Sequence, residues 1–177
     1  MSAFNGTCCD ALIAIAKVCA EHALGVAPHI DIIEACDILS IPAVDVSTHT
    51  ISGDIVLDTG KQWYQWKIGG SAEFNYNSIG TSGNATLENI LTTFLPLQRD
   101  QNEMTINAIL NGEFVIRFSD INGASRILGT ASSPVMIPDG GIQGVISAES
   151  NGTTVTFRNV GHTPYFYTGA VSYVPAV

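Results

Sequence analysis

Asn84-Ala85-Thr86-Leu87-Glu88-Asn89-Ile90-Leu91-Thr92-Thr93-Phe94-Leu95 is the stretch on which the fold turns, because it satisfies two incompatible patterns. Leu87, Ile90, Leu91, Phe94 and Leu95 fall at i, i+3, i+4, i+7 and i+8, the apolar stripe of an amphipathic helix that Pro96 would end. Thr86, Thr92 and Thr93 are β-branched and favour a strand instead. Periodicity alone favours the helix, and the threonines hold the choice open.

Upstream the pattern is cleaner. Tyr64, Trp66 and Ile68 alternate with Gln65 and Lys67, and after Gly69-Gly70 the apolar Ala72, Phe74 and Tyr76 alternate with Glu73, Asn75 and Asn77. Period two on both sides of a turn predicts two half-buried strands joined as a hairpin or a corner. Thr81-Ser82-Gly83 marks a second turn. Further upstream, the segments His29 to Ile41 and Thr48 to Leu57 are rich in Ile, Val and Thr and are bounded by Pro28, Pro42 and Gly60. The N-terminus reads as a helical segment at about 7–24. Thr7 and Asp10 have capping-box spacing, and Leu12, Ile15, Ala16 and Cys19 form one stripe.

Downstream, a helix is expected at about 98–110, containing Met104, Ala108 and Leu110, with Asn111-Gly112 as its cap. A meander follows: Glu113 to Ser119, the turn Asn122-Gly123, Arg126 to Gly129, Ser133 to Ile137, Ile142 to Glu149, Thr153 to Val160 and Tyr165 to Gly169. The fold class is mainly β, a β-sandwich or barrel with two α-helices, one N-terminal and one at about 98–110, in a single domain spanning 1–177.

Composition narrows the function. The 177 residues are 46% hydrophobic and 13% charged, with 7 Lys+Arg against 16 Asp+Glu and a net charge of -9. The apolar content excludes disorder. The cation deficit opposes binding to nucleic acid or to an anionic membrane surface. A chain of this length buries roughly 70% of its unfolded surface and needs no metal or disulfide for a core. The low charge density points to surface covered by other copies or a partner.

Cys8, Cys9, Cys19 and Cys36 all lie early in the chain, and the grouping Cys8, Cys9, Cys19 and His22 invites a metal reading. On a helix Cys8 and Cys19 would be about 16 Å apart along the axis, too far to share a zinc. Buried free cysteine is therefore expected. No basic n-region precedes the short apolar run Ala11 to Ala16, so a cytosolic product is expected. The Asn-x-Thr triplets at Asn5, Asn84 and Asn151 are read as turn chemistry.

No catalytic motif appears. Gly80-Thr81-Ser82-Gly83 lacks the spacing of a nucleophile elbow, and Asp139-Gly140-Gly141-Ile142-Gln143-Gly144 lacks the Lys-[Ser/Thr] and helix of a phosphate loop. His29 and Asp31 share a strand face without a third metal ligand and read as an exposed or edge polar pair. His49 and His162 are isolated in sequence. Tyr64 and Trp66 read as core, leaving Trp63 as the aromatic residue placed for exposure and for stacking on a sugar. No enzyme activity, cofactor or metal is expected.

One resemblance goes further. The run Asn111-Gly112-Glu113-Phe114-Val115-Ile116-Arg117-Phe118-Ser119-Asp120-Ile121-Asn122-Gly123, then Arg126-Ile127-Leu128-Gly129, resembles tail-tube-like virion proteins of tailed bacteriophages and prophages. Thr153-Thr154-Val155-Thr156-Phe157 and Pro164-Tyr165-Phe166-Tyr167 are similar to their last two strands. The similarity spans Lys61 to Ala170 by pattern, and the Cys-containing N-terminus departs from it. It implies a structural subunit that forms rings, commonly hexamers, stacked into a DNA conduit. Its partners would be copies of itself and other phage tail proteins, with location in the virion tail and, during assembly, the host cytoplasm.

The resemblance also implies a hairpin from Ala72 to about Phe94, and so a strand at Asn84 to Leu95. Glu73, Asn75, Asn77 and Glu88 become the candidates for the lumen or the subunit interface. An acidic wall would repel phosphates over a Debye length of about 8 Å and let DNA pass. The alternative from another class is a carbohydrate- or host-surface-binding β-sandwich using Trp63.

Overall fold

The computed structural model describes residues 29–69, 72–96, 100–119, 123–147 and 151–174. The N-terminal helical segment expected at about 7–24, with Cys8, Cys9, Cys19 and His22, lies outside them. Within them the chain is mainly β. The strands are β1 (His29–Glu34), β2 (Ile38–Ser40), β3 (Val44–Asp45), β4 (Thr50–Ile51), β5 (Val56–Leu57), β6 (Tyr64–Lys67), β7 (Glu73–Thr81), β8 (Asn84–Pro96), β9 (Phe114–Ser119), β10 (Ser125–Leu128), β11 (Ile142–Ile146), β12 (Asn151–Gly161) and β13 (Tyr165–Tyr167). The single helix among the described residues is α1 (Asp100–Ile109), so one of the two expected helices is present. Gly112 closes it, its N–H donating to the Ile109 carbonyl at 3.0 Å.

Seven strands form one sheet in the order β3-β4-β13-β10-β9-β1-β6, and four form another in the order β11-β12-β8-β7. The expected barrel alternative fails here: each sheet ends in edge strands, and no closed barrel forms among the described residues. The main core lies between the two sheets. Ile30, Ile32, Trp66, Phe114, Ile116 and Phe118 come from the larger sheet and Leu91, Leu95, Val155 and Phe157 from the smaller, with Ile109 of α1 beside them. Phe157 meets Phe114 edge to face at 6.5 Å between centroids, a favoured aromatic geometry.

The apolar alternation at Lys61 to Asn77 resolves as a corner, because β6 belongs to the seven-stranded sheet and β7 to the four-stranded one. Beyond β6 the Gly69 N–H donates to the Phe94 carbonyl at 2.8 Å, tying the crossing chain to β8. On the opposite side Val135 bridges Phe114, and Met136 bridges Arg158.

A second core covers the other face of the larger sheet. Ile33, Val115, Ile127 and Tyr167 pack there against Ala35, Ile38, Ile55 and Trp63. The small sheet β2-β5 forms part of this layer. β1 is thus buried on both faces, and its residues from Ile30 to Glu34 are all buried. The four-stranded sheet has one buried face only.

Two expectations about this second layer are corrected. Trp63 is 1% exposed rather than displayed, because the C-terminal tail folds over it. Its N–H donates to the Ser172 carbonyl at 3.0 Å, and its carbonyl accepts from Val174 at 2.9 Å. Cys36 is neither buried nor free: it sits exposed on the 3-10 turn Ala35–Asp37 and is disulfide-bonded. The turn directs Ala35 and Asp37 inward and the cysteine between them outward.

Candidate functional site

The contested stretch is a strand. β8 pairs along its whole length, with β7 in register Glu73↔Thr92 to Thr81↔Asn84 and with β12 in register Gly152↔Pro96 to Gly161↔Leu87. Ladder bonds on both sides override the local helical period, since tertiary pairing outweighs intrinsic propensity. The period arises because both faces carry apolar residues: Leu87, Leu91 and Leu95 point to the core side and Ile90 and Phe94 to the other. The turn is Ser82-Gly83, with Gly83 at φ 89. Gly80 has φ 102, and a Cβ there would lie 2.6 Å from the Asn84 carbonyl oxygen, so the hairpin approach demands glycine.

Pairing then fixes which side chains share the outer face. Glu73, Asn75, Asn77 and Ile79 on β7 stand beside Thr92, Ile90, Glu88 and Thr86 on β8, and beyond them stand Thr154, Thr156, Arg158 and Val160 on β12. All four residues singled out from sequence, Glu73, Asn75, Asn77 and Glu88, therefore come together on one face. Asn75 donates from Nδ2 to Glu73 Oε1 at 2.8 Å. Glu88 Oε1 accepts a charge-assisted hydrogen bond from Arg158 Nε. The face is mixed: the hydroxyls and amides of Thr86, Thr92, Thr156, Asn75 and Asn77 share it with Ile79, Ile90, Phe94 and Val160. Among the described residues of these strands it carries two carboxylates and one guanidinium, so the strongly acidic wall expected from the overall charge of -9 is not concentrated here.

On the inner face a buried polar belt marks where the core ends. Asn89 is fully buried and donates from Nδ2 to the His162 carbonyl at 2.8 Å. Asn159 donates to the Ser133 and Pro134 carbonyls at 2.8 and 3.1 Å. Beyond the belt the hairpin runs on with Ser78, Ile79, Gly80, Ala85 and Thr86 mostly exposed. Both sheet edges are open: among the described residues β7 pairs with β8 alone and β11 with β12 alone. Tyr76 on β7 is 58% exposed and Ile146 on β11 is 75% exposed. Their exposure leaves apolar surface along both edges.

The other candidates from sequence disperse. Asp31 is not part of an edge pair; it is 1% exposed on β1, an interior strand of the seven-stranded sheet between β9 and β6. Arg117 donates to its Oδ2 at 2.5 Å, Tyr173 donates to the same oxygen at 3.2 Å, and Arg117 also reaches Ser125 Oγ at 3.0 Å. This is a structural ion pair pinning the C-terminal tail. Burial, then the charge of Asp31, raises the Tyr173 pKa above its ordinary value.

His49 and His162, isolated in sequence, flank the Tyr165 ring at 4.5 and 4.4 Å. His49 Nε2 lies 3.1 Å from the Thr163 carbonyl and 2.9 Å from its hydroxyl, so the cluster fastens two turns together. The glycine-rich run is a turn, with Gly140 at φ 68 and the Gly141 N–H on the Pro138 carbonyl at 2.9 Å. It borders an open cavity of 280 Å³ with Leu110, Ile137 and Ile142. Among the described residues no three His, Cys, Asp or Glu side chains gather into a metal site.

No family model matches the chain, nor does any curated protein or solved structure.

Proposed function

We propose that the chain is a structural, tail-tube-like virion subunit: a β-sandwich that assembles into a ring, a hexamer on the resemblance, whose copies stack into a conduit for DNA. The observation that carries this reading is the four-stranded sheet with one buried face, one outer face of mixed polarity bearing Glu73, Asn75, Asn77 and Glu88, and, among the described residues, two open edges. An open edge strand of nine residues is a template for another chain. β7 of one copy against β11 of the next is a head-to-tail contact, and such a contact closes into a ring when the rotation allows. The outer faces would then line one continuous wall. Hydroxyls and amides wet such a wall, and Glu73 with Glu88 outnumber Arg158, so phosphates gain no foothold. On this reading the partners are copies of the chain and other phage tail proteins, in the virion and, before that, in the host cytoplasm. The chain would do this without enzyme activity.

The carbohydrate reading loses its platform, since Trp63 is buried. Mass photometry of the purified protein tests the conduit reading. Wild type is expected to give discrete particles several times the 18.7 kDa protomer mass. Ile146→Lys on the β11 edge is expected to leave monomers with an unchanged melting temperature. Monomers alone for wild type at high concentration would remove the reading.

A further inference from the structure

We propose that Glu88 acts as a charge mask, holding Arg158 so that the wall it stands on cannot grip DNA. The inference rests on the conduit reading above and gives the wall a specific regulator of cargo contact.

Arg158 is the one cation that the described residues of the four-stranded sheet place on its outer face. Its side chain is 45% exposed, well within reach of a passing polyanion. Guanidinium is the side chain best suited to phosphate, through paired donors in a rigid fork. Glu88 stands diagonally across the ladder, since Arg158 pairs with Ile90 and Val160 with Glu88. From there Glu88, its side chain 20% exposed, takes the Arg158 Nε–H on its carboxylate. The pair is neutral, and Glu73, with its Oε1 turned to Asn75, leaves the face net negative.

Symmetry makes this local pairing consequential. In a ring every protomer presents Arg158 at the same height, so an unmasked arginine becomes a circle of cations. Binding that neutralises Z phosphates falls with salt at a slope of about -0.9Z, so six unmasked arginines would give a slope of roughly -5. One carboxylate per protomer is enough to prevent it. An exposed pair of this kind adds little to folding stability, so removing the carboxylate probes cargo contact rather than folding.

The test is co-sedimentation of assembled rings with fluorescent duplex DNA. Wild-type rings are expected to retain no DNA at about 50 mM salt. E88Q rings are expected to retain at least tenfold more and to release it by about 200 mM salt. The double variant E88Q/R158Q is expected to return to wild-type behaviour. T156R, which adds an unpaired guanidinium on the same face opposite Thr92, is expected to retain DNA as E88Q does. It also serves if E88Q fails to fold. Rings of E88Q or T156R that hold no more DNA than wild type would overturn the mask while leaving the conduit standing. So would wild-type rings that already hold as much as E88Q. Absence of wild-type rings would instead remove the conduit reading, and the mask with it.

Discussion

β1 and β8 are both central strands, yet they meet different surroundings. β1 lies between two cores, so Ile32 and Ile33, which point in opposite directions, are both fully buried. On β8 only every second residue is buried: Leu91 is inaccessible, while Ile90 and Thr92 beside it are half-buried on the outer face. The difference separates a sheet whose residues are consumed by folding from one that keeps a face for something else. Chemistry follows the same division. In the ion pair on the doubly covered sheet Asp31 is buried and, with Arg117, fixes the tail, whereas in the pair on the outer face of the other sheet Arg158 is 45% exposed.

Substitutions can break this contrast in order of size. Ile33→Ala and Leu91→Ala are each expected to cost about 2–5 kcal/mol, since each empties a packed site in a different core. A small loss for Ile33→Ala would mean that the second core is not cooperative with the first. Asp31→Ala takes the carboxylate from part-buried Arg117 and from Tyr173, and is expected to cost about 3 kcal/mol in chemical denaturation.

A smaller effect comes from alkaline titration. Tyr173 keeps its proton more tightly folded than unfolded, chiefly through burial and then through Asp31. Its contribution to stability is therefore full below about pH 10, the unfolded value, and is lost as pH rises through the raised folded value. Tyr167 behaves alike, with burial the main cause. Melting temperature should fall above pH 10, and Tyr173→Phe should shallow that fall without removing it. The smallest effect is expected at Ile90→Ala, where the isolated protomer should change by no more than about 0.5 kcal/mol. A large loss there would show that the outer face of β8 is needed for the protomer's own fold.

How much of this was readable in advance varies with the range of the forces involved. Alternation in sequence is local: Phe114, Ile116 and Phe118 on β9, and Val155 and Phe157 on β12, all face the main core, although β9 is covered on its other face as well through Val115. α1 and its glycine stop were local, and so was the Ser82-Gly83 turn. β8 was ambiguous because Ile90 and Phe94 add apolar residues to a face that the core does not use, and that imitates a helical stripe. Asp31 was misread because its partner Arg117 lies 86 positions away in sequence. Trp63 was misread because the tail that covers it comes from the far end of the chain. The grouping of Glu73, Asn75, Asn77 and Glu88 was legible only through the hairpin that the resemblance implied. Arg158 was invisible as their companion, because nothing local links β12 to β8. The pairing of His49 and His162 around Tyr165 was equally hidden, since the two histidines lie isolated and far apart in sequence.

Electron cryo-microscopy of the assembled protein tests the central claim most directly. The expected result is a closed ring with an open channel lined by the face bearing Glu73, Asn75, Asn77, Glu88 and Arg158, with the β7 edge of each protomer against its neighbour. Monomers alone, or a ring whose channel is lined by α1 or by the β2-β5 layer, would contradict it.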